Sequence, residues 1–257
     1  VSVTGRRPAS VKHTLLFSDV HLKPSGIDRT SDALFLSFLR SIDPREVDRI
    51  ICLGDLFDFW FEYRHVHFSG YFEVLRRFAE LHEQGVELHL CCGNHDLWAG
   101  DLLTRLCGLQ VHHEPVHMHF GDRRALLLHG DGLNRADRGY RLFKRIASCR
   151  LLQRGFRWVH PDIAMGIARF FSKKSRDLLS TAPPAEGPEA EAVRRYACAR
   201  IASGEETLVI CGHAHAPVLE TYGSAGFSGC YINTGDWPIH RSYVRYDGSE
   251  FTMCTYC

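Results

Sequence analysis

Five short motifs rich in aspartate, histidine and asparagine occur along the chain, and each follows an apolar run of strand length. They are Asp19-Val-His21, Gly54-Asp55-Leu-Phe-Asp58, Gly93-Asn94-His95-Asp96, His129-Gly-Asp131 and Gly212-His213-Ala214-His215. Open α/β folds place their functional side chains at the carboxyl ends of strands. Motifs that lie far apart in the chain are therefore predicted to meet at one edge of the fold, each held by a rigid strand.

Strand and helix patterns alternate around the first three motifs. The predicted elements are the strands His13–Phe17, Arg49–Leu53 and Glu87–Cys92 and the helices Asp32–Leu39 and Phe72–His82, the second of which is closed by Gly85. This βαβαβ order predicts a sheet with parallel strands and with helices packed on its faces.

The remaining pattern is less regular. It predicts a hairpin at Gly121-Asp122 within Val111–His129. Mostly helical structure follows over Gly139–Leu179, interrupted at Gly155, with a helix start at Pro161-Asp162. The last predicted elements are a loop at Thr181–Pro188, a helix at Glu189–Ala202 and a strand at Thr207–Cys211. No internal repeat is present. The 257 residues are predicted to form a single domain, 1–257.

The side chains of the motifs predict two divalent metal ions. The predicted ligands are Asp19, His21, Asp55, Asn94, His129, His213 and His215. Oxygen ligands mixed with imidazoles suit Mn²⁺, Fe²⁺ or Zn²⁺ better than Ca²⁺. Seven ligands are too many for one tetrahedral ion but suit two ions that share a carboxylate, about 3.5–4 Å apart. Asp131 and Asp236 are candidates for orienting histidine ligands from behind, and Asp58 is expected to brace a loop.

This set of motifs resembles the calcineurin-like metallophosphoesterase family, whose pattern is DxH, GDxxD, GNHD or GNHE, H and GHxH, and the resemblance spans Asp19 to His215. It implies a four-layer αββα sandwich of the metallophosphoesterase type, an α/β fold. It also implies that Asp19, His21 and His215 hold one ion, that Asn94, His129 and His213 hold the other, and that Asp55 bridges them. His95 would be the proton donor or phosphate contact, oriented by Asp96.

Four longer strings are similar to one branch of this family, which cleaves the diphosphate of UDP-2,3-diacylglucosamine in lipid A synthesis. They are GDLFDFWFEY (54–63), HGDGLNRADRGYRLFK (129–144), WVHPDIAMGIARFFSKKSR (158–176) and NTGDW (233–237). The resemblance implies UMP and 2,3-diacylglucosamine 1-phosphate as products, Mn²⁺ as cofactor, and a cytoplasmic enzyme peripheral to the inner membrane of a Gram-negative bacterium. The chain departs from the branch at His95, where many members carry Arg.

By the same alignment, a basic helical insert at about 138–180 forms a lid over the metals. The implied substrate contacts are Asp137, Tyr140, Ser172, Ser175 and Arg176. Independently of the resemblance, residues 138–176 hold eleven Lys and Arg and one Asp, a net charge of +10, while the rest of the chain carries −9. Basic and apolar residues mixed at helical spacing predict contact with a membrane surface. The alternative is a helical cap whose apolar face packs on the domain.

Other functions stay open at the level of sequence. A metallophosphoesterase acting on another nucleotide diphosphate, a soluble phosphodiester or a phosphoprotein fits the same motifs. A non-catalytic interaction protein on this fold would be expected to have lost ligands. The basic insert also suits nucleic acid, but no base-stacking aromatic pattern accompanies it, and no nucleic-acid partner is expected.

The ten cysteines and the first residues of the chain indicate in which cellular compartment the protein is expected. Cysteines directly before the motifs fit buried thiols rather than disulfides, as in a reducing cytosol. Cys254 and Cys257 form a CxxC without a second pair at zinc-site spacing. Val1–Lys12 lacks the apolar stretch of a signal peptide, and no apolar run approaches the roughly 20 residues of a membrane span. The chain is expected not to cross a membrane.

Overall fold

The apolar runs that precede the motifs form neighbouring strands in two β-sheets. The computed structural model describes residues 12–24, 31–167, 187–224 and 227–257. Its strands are β1 (His13–Phe17), β2 (Val47–Cys52), β3 (Glu87–Cys91), β4 (Gln110–His112), β5 (Val116–Phe120), β6 (Arg123–Leu128), β7 (Leu208–Cys211), β8 (Val218–Ser224), β9 (Phe227–Asn233), β10 (Ser242–Tyr246) and β11 (Phe251–Thr255).

The first sheet has the order β11-β10-β1-β2-β3-β4, and the second has the order β5-β6-β7-β9-β8. Strands β1 to β4 are parallel to one another, as the βαβαβ pattern predicts. In the second sheet, β6, β7 and β9 are parallel. Parallel strands bring their carboxyl ends to the same edge, so each sheet presents the loops that follow its central strands together.

The helices are α1 (Ser31–Ser41), α2 (Phe72–Glu83), α3 (Asp101–Cys107), α4 (Arg138–Ala147), α5 (Arg150–Phe156), α6 (described over 161–167) and α7 (Pro188–Ala202). A single 3₁₀ turn, Ser69–Tyr71, precedes α2. Gly85 follows α2 with a φ of 90°, the left-handed conformation typical of a residue just after a helix end.

Alternation along the strands separates the packed layers. In β1, Leu15 and Phe17 pack with the helices α1 to α3 on the outer face of the first sheet, whereas Leu16 points into the space between the sheets. In β6, Leu127 faces that same space and Leu126 packs against α7 on the outside of the second sheet. The layers therefore run helix, sheet, sheet, helix, and the predicted four-layer αββα sandwich is confirmed.

Two local predictions in the middle of the chain are confirmed. The hairpin is present, because β5 and β6 pair antiparallel around Gly121, whose φ of 58° suits a tight turn. The interruption predicted at Gly155 is found to within one residue, since α5 ends at Phe156. The helical segment has a second break around Ser148, which caps the end of α4.

The segment between β6 and α7 contains α4, α5 and α6, where the basic insert was predicted. The helix start at Pro161 is confirmed, while the predicted loop at Thr181–Pro188 lies mostly outside the described residues. Among the helices that the structure describes, none combines the length and the apolarity needed to cross a bilayer.

Candidate metal centre

The seven predicted ligands follow strands of both sheets, and six of them meet where the two sheets adjoin. Asp19 and His21 come after β1, Asp55 after β2 and Asn94 after β3, whereas His129 comes after β6 and His213 and His215 after β7. Possible ligand atoms lie within 4.8 Å of one another in three groups: Asp19, His21 and His215; His21, Asp55 and His95; and Asp55, His129 and His213. The groups share His21 and Asp55, so they form one continuous cluster.

At this cluster the backbone adopts left-handed conformations, with positive φ, that residues other than glycine rarely adopt. In the described part of the chain, six residues other than glycine have a positive φ, and all but Arg241 are predicted ligands: Asp19, His21, Asp55, His213 and His215. Each left-handed residue of this kind costs on the order of 1–3 kcal/mol, and such residues concentrate at functional sites. Backbone bonds hold the strained loops together: Asp19 N–H donates to the Gly54 carbonyl at 3.0 Å, and Gly212 N–H donates to the His129 carbonyl at 3.0 Å.

The two central carboxylates each use one oxygen for support and leave the other facing the cluster. Asp55 Oδ1 accepts from the His95 N–H at 2.9 Å, and Asp55 Oδ2 lies 3.4 Å from His129 Nε2 and 4.0 Å from His21 Nε2. Asp19 Oδ2 accepts from the His213 N–H at 2.9 Å. Its Oδ1 lies 3.3 Å from Nε2 of His215. Asp55 Oδ2 therefore lies between the two halves of the cluster.

Two of the imidazoles are fixed through the ring nitrogen that faces away from these carboxylates. His129 Nδ1 lies 2.7 Å from the Leu53 carbonyl, so it carries the proton and leaves Nε2 with a lone pair. His215 Nδ1 lies 3.4 Å from Asp236 Oδ2, in agreement with the orienting role predicted for that carboxylate. Asp131 has other partners: it accepts from the hydroxyl of Tyr140 at 2.5 Å and pairs with Lys144 at 2.6 Å.

Unpaired polar atoms test whether this cluster suits a metal. The buried side-chain atoms without a hydrogen-bond partner include Asp19 Oδ1, Asn94 Oδ1 and His129 Nε2. Buried polar atoms are nearly always paired, so unpaired atoms on three of the predicted ligands indicate a missing partner. Each of the three can offer a lone pair, and a divalent cation is the partner that carboxylate, amide and imidazole lone pairs have in common. The donor set therefore fits divalent metal.

In the metal-free protein, protonated imidazoles supply the positive charge that the buried carboxylates need. Although burial raises it, the charge of His129 brings the pKa of Asp55 well below its ordinary value, and Asp55 in turn raises the pKa of His129 well above its own. Against the effect of burial, Asp19 raises the pKa of His215 to about 10, whereas burial lowers the pKa of His21 to about 4. Metal binding needs ionised carboxylates and neutral imidazoles, so bound ions would take the place of the extra protons on His129 and His215.

Two glycines let the loops approach closely enough for the cluster to form. A Cβ at Gly93 would overlap Oδ1 of Asp55, and a Cβ at Gly212 would overlap the side chain of Ser18 and crowd Asp19 Oδ2. Any larger residue at either position would displace a carboxylate that faces the centre.

His95 lies beside the cluster, with its ring 4.8 Å from that of His21 in an edge-to-face arrangement. Its Nδ1 is 2.8 Å from the Asp58 carbonyl, and its Nε2 is 4.0 Å from Asp55 Oδ2. The ring is therefore oriented by a backbone carbonyl, with Nε2 directed toward the cluster. The prediction that Asp96 orients His95 is wrong.

Asp96 supports the loop that carries Asn94 and His95. Its two oxygens accept from the backbone N–H groups of Gly93 at 2.6 Å and Leu56 at 2.9 Å, which ties the loops after β2 and β3 together. Burial, with the nearby charge of Asp55, raises the pKa of Asp96 to about 7. The side chain is fully buried, so it serves the centre through the backbone.

Of the substrate contacts implied by the resemblance, Asp137 and Tyr140 are described. Asp137 caps α4 by accepting from the Tyr140 N–H at 2.7 Å, and Tyr140 donates its hydroxyl to Asp131. Contact of either residue with substrate remains a prediction. Ser172, Ser175 and Arg176 lie outside the described residues.

Sequence reasoning missed two residues that support the centre. Ser18 donates to Asp19 Oδ2 at 2.5 Å, and His240 Nδ1 lies 2.6 Å from Asp236, behind His215. Ser18 adjoins a motif and could have been found from that position. His240 lies outside every motif, and only the three-dimensional structure brings it to the site.

Replacing Asp96 with Asn is expected to lower the free energy of unfolding by about 1–3 kcal/mol, because the NH₂ group that replaces one oxygen would face a buried backbone N–H that then has no acceptor. Urea denaturation of the metal-free protein measures this effect, with the exposed Asp122→Asn as the matched control that should change little. A variant with unchanged stability but reduced turnover would contradict the structural role and restore the one predicted for His95.

Comparisons with known proteins agree with the motifs. Residues 13–152 match the family model described as the calcineurin-like phosphoesterase superfamily domain. A Porphyromonas gingivalis protein named UDP-2,3-diacylglucosamine hydrolase is 32% identical over 250 residues, with 91% of each chain covered. Proteins of the same name from Aeromonas hydrophila and Vibrio cholerae are each 28% identical, covering 87% and 95% of this chain and 90% and 98% of their own.

The family match covers more than half of the chain and includes four of the five motifs, and the P. gingivalis relative extends the similarity over nearly all of the rest. The resemblance seen in the motifs is thereby confirmed: this chain belongs to the calcineurin-like phosphoesterase superfamily.

Proposed function

We propose that this chain is a metal-dependent hydrolase that cleaves the diphosphate of UDP-2,3-diacylglucosamine with one water molecule, giving UMP and 2,3-diacylglucosamine 1-phosphate. The main support for metal-dependent hydrolysis is the position of Asp55 Oδ2 between the two halves of the ligand cluster. The assignment of this substrate is based on relatives that are named for it and align with 87–95% of this chain.

In this proposal, Asp19, His21 and His215 hold one ion, Asn94, His129 and His213 hold the other, and Asp55 bridges the pair. Mn²⁺ is the proposed identity because the resemblance implies it, and the mixed oxygen and imidazole ligands suit it as they suit Fe²⁺ or Zn²⁺. When bound, two such ions neutralise phosphoryl charge and lower the pKa of the attacking water. The residues around them fix the ligand geometry before substrate arrives, since Leu53 and Asp236 hold the rings of His129 and His215.

His95 acts on the substrate rather than on the metals. Because its Nδ1 donates to the Asp58 carbonyl, its Nε2 is directed at the cluster, and in the imidazolium form this Nε2 can donate a proton to a phosphoryl oxygen or to the departing phosphate. The bond that breaks joins phosphorus to the bridging oxygen, and a donor at this position stabilises the charge that develops there.

The basic insert at about 138–180 is proposed to be a lid on a single domain. In the described part, its inner side packs on the body: Phe156 and Ala164 join an aromatic cluster with Phe61 and Trp98, and the Trp98 indole N–H donates to the Ala147 carbonyl at 2.7 Å. The bonds from α4 to Asp131 tie the same segment to the loop that carries His129.

The outer side of the insert is apolar and basic. Large apolar side chains are exposed to solvent on the three helices and the turn between α5 and α6. They are Leu142 on α4 (60% exposed), Leu151 on α5 (74%), Trp158 in the turn (92%) and Ile163 on α6 (60%). Arg141, Arg145, Arg150, Arg154 and Arg157 are interspersed with them and are also exposed. Apolar groups with arginines between them fit the interface of an anionic membrane, where acyl chains and phosphates are both available. This arrangement supports a cytoplasmic enzyme peripheral to the inner membrane, with an acylated nucleotide sugar and no nucleic acid as its partner.

A cavity of about 570 Å³ beneath the insert gives the substrate a place beside the centre. Its lining combines apolar residues such as Leu97 and Trp98 with charged groups of both signs, including Lys144 and Arg150, and it reaches His129. Apolar surface beside cationic groups suits a molecule that has both acyl chains and phosphates.

Substituting His95 and Asp55 should separate the chemical role from the metal-binding role. His95→Ala is expected to lower turnover by about 10²–10⁴-fold while both ions remain bound. Asp55→Ala should abolish turnover and lower metal content, because it removes the shared ligand. Turnover with Mn²⁺ and elemental analysis of the purified variants test both. Loss of metal from the His95 variant, or near-normal turnover of the Asp55 variant, would contradict the assignment.

Acyl chains should increase the rate of hydrolysis strongly. We expect a diacylated UDP-sugar in detergent micelles or vesicles to be cleaved far faster than the same sugar without acyl chains, because the insert binds the apolar part. Replacing Leu151 and Trp158 together with Ser should reduce that preference and leave cleavage of a small phosphodiester unchanged. Phe170 and Phe171, which the sequence also suggests for this test, lie outside the described residues.

The matched control is Leu106→Ser, an exposed apolar residue on α3, outside the insert. It should keep the full preference for the acylated substrate. Equal rates on acylated and bare sugars in the wild-type protein would reject the lipid substrate and favour a soluble metallophosphoesterase that acts on another diphosphate or phosphodiester.

A further inference from the structure

A carboxylate outside all five motifs contacts one of the predicted ligands. Glu189 lies in the first turn of α7, and its Oε2 is 3.4 Å from Nε2 of His213. Its other oxygen, Oε1, accepts from the side-chain amide of Asn134 at 2.7 Å. Both oxygens are thus used, one on a ligand of the centre and one on a neighbouring loop.

Asn134 is itself held in place. Its Oδ1 accepts from the Ala136 N–H at 3.1 Å, which fixes the amide so that its NH₂ group points to Glu189. The loop that carries Asn134 begins at His129, another predicted ligand. The contact therefore connects the two loops of the second sheet that supply ligands to the centre.

The helix that carries Glu189 is packed against the strands that end at those loops. Val193, Ala197 and Ile201 of α7 are buried against Leu128 at the end of β6 and Cys211 at the end of β7. Because the helix and strands form one packed unit, Glu189 is fixed relative to His213 by the core rather than by a mobile side chain alone.

We propose that Glu189 is a positioning residue for the ion assigned to Asn94, His129 and His213. Its carboxylate holds the proton of His213 on Nε2, which leaves the lone pair of Nδ1 for the ion. The inference rests on the proposed metal centre, and it gives His213 the kind of support that His129 receives from the Leu53 carbonyl and His215 receives from Asp236.

Removing such a support typically costs 10–100-fold in metal affinity. The ion beside His213 should be affected alone, because the contacts of Glu189 lie on His213 and on the loop after His129. Glutamine cannot replace the carboxylate fully, since its NH₂ group would face either the ring N–H of His213 or the NH₂ group of Asn134 and cannot accept from it.

The test is Mn²⁺ binding to the chelator-stripped full chain, followed by titration calorimetry and by electron paramagnetic resonance. The wild type should bind two ions and show the signature of a magnetically coupled pair. Glu189→Ala should bind one ion with wild-type affinity and the second about 10–100-fold more weakly, with the spectrum of isolated Mn²⁺ at intermediate concentrations. Glu189→Gln should fall between the two.

Glu191→Ala is the matched control, because it removes the same charge from the same first turn of α7 at an exposed position. It should bind both ions as the wild type does. If Glu189→Ala does not fold, Asn134→Ala gives the same test, with a smaller loss confined to the second ion.

Unchanged affinity for both ions, or an equal loss at both, would overturn the role of Glu189 and leave the centre itself standing. A wild-type chain that binds fewer than two ions would overturn the proposed centre and this inference with it. Neither outcome depends on which substrate the protein hydrolyses.

Discussion

The burial of Asp19 and Asp55 side by side is the constraint on which the rest of the structure depends. Both carboxylates are at most 2% exposed, and two unpaired negative charges in the interior would be prohibitively unfavourable. Each is stabilised in part by a backbone N–H on one oxygen, from His213 and His95 respectively. The second oxygen of each faces imidazoles and requires positive charge, which the two proposed cations supply.

The fold satisfies this constraint by bringing rigid strand ends together from both sheets. Parallel strands in each sheet deliver ligands to one edge, and left-handed backbone turns those ligands toward a common point. Burial of apolar side chains in the large cores on both faces of each sheet offsets the backbone strain at these residues. The same packing holds α7, and with it Glu189, against the centre.

Much of this could be predicted from the sequence because motif position and hydrophobic period are local signals. Strand β1, the hairpin at Gly121 and the meeting of six of the seven predicted ligands follow from these signals. The break near Gly155 could be predicted because a glycine lowers the stability of a helix by about 1 kcal/mol, and α5 ends one residue later. The predicted contact of Asp96 with His95 was wrong because a sequence pattern does not show which backbone N–H groups a buried carboxylate will accept from. Glu189 was missed because its contact crosses from one loop to another element.

A crystal structure of the protein grown with Mn²⁺, with anomalous diffraction recorded at the manganese absorption edge, tests the central claim most directly. Two anomalous peaks about 3.5–4 Å apart, on either side of Asp55 Oδ2, are the predicted result. One of them should be ligated by Asp19, His21 and His215, and the other by Asn94, His129 and His213. A single peak, or a pair in which Asp55 contacts only one ion, would contradict the account.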